Sequence, residues 1–114
     1  MAHLAGEAAE LQIAQDYERR GFEITKRRWR GLTGEIDLVT RHDNGLVFVE
    51  VKKSRDFAQA AEHLSARQMQ RISRTAEEFL ATEPDGMMTN VRFDVALVDG
   101  AGQYQIIENA FFAT

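Results

Sequence analysis

A chain of 114 residues, 44% hydrophobic with one proline, is long enough to bury one core, so a single domain over residues 1–114 is expected. Zero cysteines exclude disulfides, thiolate metal sites and cysteine nucleophiles, which leaves oxygen or histidine ligands for any metal. The net charge of −4 argues only weakly against a nucleic-acid partner: seven acids and Arg92 alone fall in residues 77–114, whereas the first 76 residues carry thirteen Lys and Arg against eleven acids. There is neither an apolar run of spanning length nor a leader-like N-terminus, so no membrane partner and a cytoplasmic location are expected.

Residues 4–20 read as a helix closed by Gly21, with Arg19 and Arg20 suiting the dipole at its C-terminus. Its apolar stripe runs through Ile13, Ala14 and Tyr17 and includes Glu10, a carboxylate on a face that should meet the sheet. Such a group needs a partner, either a metal site across the interface or a basic side chain of the first or second strand. Glu7 borders the same stripe. "FEITKRRW" reads as a first strand from the alternation of Phe22, Ile24 and Lys26. Its "KRRWR" segment sets Lys26, Arg27, Arg28 and Arg30 around Trp29; the cations suit phosphates, and the indole either stacks on a base or packs beneath the strand.

Glu35–Arg41 and Leu46–Lys52 read as a hairpin across "HDNG". A two-residue Asn44-Gly45 loop would pair Asp43 with Leu46, Val39 with Glu50 and Asp37 with Lys52. Glu35, Asp37, Glu50 and Lys52 would then share one face and Ile36, Leu38, Val49 and Val51 the other. The chain next turns helical as far as Phe79–Ala81, with Met69, Ile72, Ala76, Phe79 and Leu80 at helical spacing and Ser65 to Gln68 as a capping box. This helix can cross over to a parallel strand at 91–98, followed by a last strand at 103–111. The order α-β-β-β-α-β-β gives an α/β class with a central mixed sheet.

Carboxylates gathered on one sheet face repel each other, and a divalent cation relieves that repulsion. Asp37 and Glu50 offer hard oxygen ligands for Mg²⁺ or Mn²⁺, and Lys52 could orient the attacking water and stabilise charge on a phosphate. From spacing alone, a solvated face with surface ion pairs remains equally open.

The Gly34-Glu35-Ile36-Asp37 and Glu50-Val51-Lys52 motifs resemble the signature of the PD-(D/E)xK nuclease superfamily, an aspartate on one strand and Glu-x-Lys on the next. Over nearly the whole chain, "AEL…GFEI…RWR…GEIDLV…LVFVEVK…RFDV…NAF" is similar to the YraN family of small bacterial proteins, whose fold resembles that of Holliday junction resolvases. The resemblance implies a restriction-endonuclease-like fold and a Mg²⁺- or Mn²⁺-dependent nuclease acting on DNA, structured or branched, as a homodimer. It implies that Asp37 and Glu50 hold metal and that Lys52 is catalytic, and gives Glu35 an auxiliary place. A Gly-Glu on the family's first helix aligns with Ala9-Glu10, or alternatively with Gly6-Glu7. Gln68 stands where the family has a lysine and serves here as the capping partner of Ser65. A nuclease-fold module that grips nucleic acid through residues 26–30, Lys53, Arg55, Arg67 and Arg71 without cleaving it is the alternative.

Overall fold

The computed structural model describes residues 2–111, with side chains from Gly6 onward. The elements follow as α1 (Ala2–Arg19), β1 (Glu23–Arg30), β2 (Glu35–His42), β3 (Gly45–Lys53), α2 (Phe57–Glu62), α3 (Ala66–Leu80), a 3₁₀ turn (Gly86–Met88), β4 (Asn90–Val98) and β5 (Tyr104–Phe111). One sheet in the order β1-β2-β3-β4-β5 contains a parallel β3–β4 pair, and its other pairs are antiparallel. The expected mixed sheet flanked by helices is therefore present. The expected single helix before β4 is two, because Ser65 takes an extended conformation and caps α3 by accepting the Gln68 N–H at 3.1 Å. No helix is long and apolar enough to cross a membrane.

The two faces bury different sets of side chains. Ala9, Ile13, Ala14 and Tyr17 of α1 pack on Leu38, Val47, Val49, Ala96 and Val98. On the opposite face Ile72, Ala76, Phe79 and Leu80 of α3 cover Ile36, Val39, Leu46, Phe48 and Phe93. Aromatic rings link the second layer from one sheet edge to the other: Trp29 stands edge-on to Phe79, Phe79 to Phe48, and Phe48 and Phe93 stack in turn on Phe93 and Phe111.

Trp29 thus packs against the helix layer, the second of its two expected roles. Trp29→Ala should cost roughly 2–3 kcal/mol in urea unfolding, below the 3–5 of a fully buried ring because the indole is only partly covered. Nucleic-acid affinity measured on the same variant should be unchanged.

Two expectations about the hairpin are corrected. The turn residues are Asp43 and Asn44, with Asp43 at φ 54, and Gly45 already belongs to β3 opposite His42. Aspartate tolerates the left-handed region, so Asp43 opens the turn one residue earlier than Asn44 would. The register therefore pairs Val39 with Phe48 and Leu38 with Val49, in place of Val39 with Glu50. Counting on, Asp37 comes opposite Glu50 instead of Lys52.

The second correction concerns Ile36, which does not share a face with Leu38, Val49 and Val51. Ile36 lies in the α3-side core and Leu38 in the α1-side core, so the alternation of β2 breaks at Asp37. On the neighbouring strand Arg28 takes φ 49 between the Arg27–Leu38 and Trp29–Ile36 pairs, so both strands break at one level of the sheet. The expected alternation of β1 is interrupted as well, by a register shift between Ile24 and Lys26.

Candidate active site

At the level of the break, regular pairing between β2 and β3 ends with Leu38–Val49, and side chains replace the ladder. The Val51 N–H donates to Asp37 Oδ2 at 2.8 Å, and the Asp37 N–H donates to Glu50 Oε1 at 3.2 Å. Two carboxylates on different strands are thereby held next to each other by the backbone of the opposing strand. Glu50 is 4% exposed. Lys52 Nζ lies 3.9 Å from Glu50 Oε2, so the expected trio of Asp37, Glu50 and Lys52 comes together.

Burial is the main reason the Asp37 carboxyl is pushed up to about 6; the Val51 N–H opposes the shift, and the nearby Glu10 charge adds to it. Glu50 is driven further, to about 8, by burial and then by the Asp37 charge, against the pull of Lys52 and Arg71. Both carboxylates are thus more willing to hold protons when folded than when unfolded. Their contribution to stability is complete below the ordinary carboxylate range and is lost as pH rises through 6 and 8. Asp16 and Glu78 have lowered values and lose their contribution only in acid, so they do not mask this window. Metal-free protein should lose stability from pH 5 to pH 8.5, on the order of a few kcal/mol, and Glu50→Gln should flatten the slope in thermal melts across that range.

Glu10 does find a basic partner on the first strand: Arg28 Nε donates to its Oε1 at 2.7 Å, and Arg28 also lies 3.7 Å from Glu7. The Glu10 side chain is 18% exposed and that of Glu7 48%, which places Glu10 as the residue of α1 turned toward the sheet. Glu10 also lines a cleft of about 400 Å³ with Lys53, Ser54 and Arg55 beside Val51. Glu10→Gln should release Arg28 and lower the pKa of Asp37, readable by NMR titration as a midpoint for that carboxyl at lower pH. Glu35 pairs with Arg30 at 3.4 Å, and Gln68 gives its backbone N–H to the Ser65 cap of α3.

The basic residues fall into groups. Arg27 and Arg28 line a cleft with Glu7 and Glu10, while Arg30 and Arg71 line another with Glu35. Lys26, Lys53, Arg55 and Arg67 are exposed. Arg28 is engaged with two carboxylates and so is less available to phosphates than the run "KRRWR" suggests. Sequence reasoning missed Arg74, which extends Arg67 and Arg71 at helical spacing along the exposed side of α3. It also missed Glu78, which anchors the β1–β2 turn from 45 or 46 residues away.

Among the described residues no three Asp, Glu or His side chains close on a single point. A cation would therefore be held by Asp37 and Glu50, with the rest of its shell drawn from backbone and water. The donor set fits a hard divalent ion: each carboxylate spends one oxygen on a backbone N–H, leaving Asp37 Oδ1 and Glu50 Oε2 for the ion.

The model of the uncharacterised protein family UPF0102 matches residues 9–98, a span that contains every residue of this trio. The chain belongs to the UPF0102 family. It is 64% identical over 109 residues to a UPF0102 protein of Ruegeria pomeroyi, covering 96% of this chain and 89% of that one. It is 56% identical over 113 residues to one of Cereibacter sphaeroides, covering 99% and 97%. A relative in Dinoroseobacter shibae is 44% identical over 108 residues, covering 95% and 81%. Membership of UPF0102 agrees with the resemblance to the YraN family read from the motifs. Among solved structures, "The structure of Pyrococcus Furiosus SfsA in complex with Ca2+" is similar at 15% identity and a TM-score of 0.38, over 94% of this chain and 63% of that one. That likeness is too distant to carry an argument.

Proposed function

We propose that this protein is a Mg²⁺- or Mn²⁺-dependent phosphodiesterase of the PD-(D/E)xK type acting on nucleic acid, with DNA, structured or branched, as its substrate. The observation that carries this reading is a buried carboxylate, Glu50, and a half-buried one, Asp37, held adjacent where β2 and β3 part, with a lysine 3.9 Å from Glu50. A structural core has little reason to gather like charges at such a cost, whereas a cation site requires it. The signature of Asp37 followed by Glu50-Val51-Lys52 supports the same class.

Asp37 and Glu50 would hold the ion, which when bound neutralises them and supplies Lewis acidity beside the scissile phosphate. Lys52 places an ammonium at the same point, where it stabilises the negative charge that builds on the phosphate and orients the attacking water. Glu10 and Arg28 fix the α1 side of the site. The exposed cations of β1, α3 and the β3 end, Arg27, Arg30, Lys53, Arg55, Arg67 and Arg71, supply the sequence-independent grip on the backbone.

The test is the purified full chain against linear, nicked and four-way-junction DNA and against RNA, with Mg²⁺, Mn²⁺ or EDTA. Cleavage that requires the metal and Lys52 supports the enzyme. Tight binding without cleavage replaces it by the binding module, and neither binding nor cleavage removes both. A homodimer belongs to the same reading, and sedimentation of the same preparation, free and on the junction, decides it.

A further inference from the structure

The turn joining β1 to β2 presents an apolar side chain in a way that mere flexibility does not explain. Leu32 is 99% exposed, the most exposed large hydrophobic residue described, and lies five residues before Asp37. Its backbone is nonetheless fixed: the N–H groups of Leu32 and Thr33 donate to the two Glu78 oxygens at 2.7 and 2.9 Å. The Thr33 hydroxyl adds a bond to Glu78 and a contact of 2.9 Å to Thr75. Within the turn, the Gly31 N–H donates to the Gly34 carbonyl at 2.8 Å.

Both glycines lie close against α3 side chains, which a larger residue would have to displace. A Cβ on Gly31 would stand 2.8 Å from Glu78 Oε2, and one on Gly34 would stand 3.1 Å from Thr75 Oγ1 and 3.2 Å from Arg71 Cδ. The turn is thus docked on the helix, and its tip is held out in solvent.

Beside the tip two arginines face two carboxylates: Arg30 is paired with Glu35 at 3.4 Å, Glu78 is spent on the turn, and Arg71 stands exposed. Arg30 and Arg71 line a cleft of about 370 Å³ with the turn and Glu35. Arg67, Arg71 and Arg74 follow one another along the exposed side of α3, and among the described residues none of the three forms an ion pair. A stripe of exposed guanidinium groups leading to a fixed apolar tip matches one kind of partner: a polyanion with apolar faces between its charges, which is a nucleic acid with unstacked bases.

We propose that the Gly31–Gly34 turn is a rigid wedge that presses Leu32 against unstacked bases of a branched DNA whose phosphates run along Arg67, Arg71 and Arg74. This deepens the proposed function and rests on it: the wedge selects distorted DNA, and the carboxylate site a few residues away acts on the strand so positioned.

The experiment uses the full chain in EDTA, with a four-way junction carrying 2-aminopurine at the branch point and a linear duplex of the same sequence. Wild-type protein is expected to bind the junction more tightly than the duplex and to raise 2-aminopurine fluorescence as the base unstacks. Leu32→Ala should keep the melting temperature and the duplex affinity within about twofold, bind the junction roughly tenfold more weakly, and lose the fluorescence rise. Arg71→Ala should weaken both complexes and reduce the salt dependence of each. Equal affinities of Leu32→Ala and wild type on the junction would overturn the wedge while leaving the nuclease reading intact, and so would equal weakening on both DNAs. Absence of any binding by the wild type would remove the functional reading, and the wedge with it.

Discussion

Lys52→Ala is expected to slow metal-dependent cleavage by about 10²–10³-fold, the usual loss when one group that stabilises transition-state charge is removed. The substitution should leave the sheet unchanged, because the lysine lies beyond the last regular β2–β3 pair and its nearest charged neighbour is Glu50 at 3.9 Å. Mn²⁺ affinity should stay within a few-fold, since both carboxylates remain. Asp37→Asn and Glu50→Gln should lose comparable activity together with metal affinity, because each removes an anionic ligand. These substitutions keep an oxygen that can accept from the Val51 and Asp37 N–H groups, so the backbone geometry of the break survives. If Lys52→Ala lost metal binding as completely as Asp37→Asn, the division of roles between holding the ion and stabilising the phosphate would be wrong. Single-turnover cleavage together with Mn²⁺ titration separates the cases.

The largest expected loss of stability lies outside the site. Asp94 is fully buried on the α1 side of β4 and accepts four hydrogen bonds: from Tyr17 Oη at 2.6 Å, Arg92 Nε at 2.8 Å, Arg92 Nη2 at 2.9 Å and the Asn109 N–H at 3.0 Å. Burial and the Asp94 charge both push the Tyr17 hydroxyl upward, so the phenol stays protonated as a donor. Asn109 takes φ 53 where the β4–β5 register shifts between Phe93 and Val95, so the carboxylate also fastens an irregular strand. Asp94→Ala should cost about 3–5 kcal/mol, because it strands a buried hydroxyl and leaves a partly buried guanidinium with the half-exposed Glu108 alone. Tyr17→Phe, which removes one bond and keeps the ring packed, should cost closer to 1–2 kcal/mol. Urea unfolding of the two variants gives both numbers, and a loss under about 1 kcal/mol for Asp94→Ala would mean that Tyr17 finds another partner and that Glu108, already 3.0 Å from Arg92, suffices to hold the guanidinium.

The strands, the crossover and the α3 cap were legible because each has a local cause: period two, a helix-length apolar stripe, and Ser65 before Gln68. The hairpin register was not, since Asp43-Asn44 and Asn44-Gly45 are both competent two-residue loops and strand pairing chooses between them. Asp37, Glu50 and Lys52 were visible as charges in apolar strands, and both candidate registers bring them to one side. The break at Asp37 was invisible, because it is shared between β1 and β2 and sealed by backbone-to-carboxylate bonds that run both ways between β2 and β3. Likewise, the Arg28 partner of Glu10 was foreseeable only as some cation of the first two strands. Glu78 carried no signal at all: its role depends on a turn 45 residues away. The motif "RFDV…NAF" was legible only as resemblance, and the structure supplies its physical content in the Arg92–Asp94–Asn109 bonds.

The central claim, that Asp37 and Glu50 are held together to bind a divalent cation, is tested most directly by thermal unfolding at pH 8 with EDTA or with Mn²⁺ in about hundredfold excess over its dissociation constant. Wild-type protein should gain about 2–3 kcal/mol, or several degrees of melting temperature, from the ion. Asp37→Asn and Glu50→Gln should gain almost nothing from Mn²⁺, and Glu50→Gln should melt higher than wild type in EDTA because a buried, repelled charge is gone. A wild type that gains no stability from Mn²⁺, or an Asp37→Asn protein that gains as much as the wild type, would contradict the account.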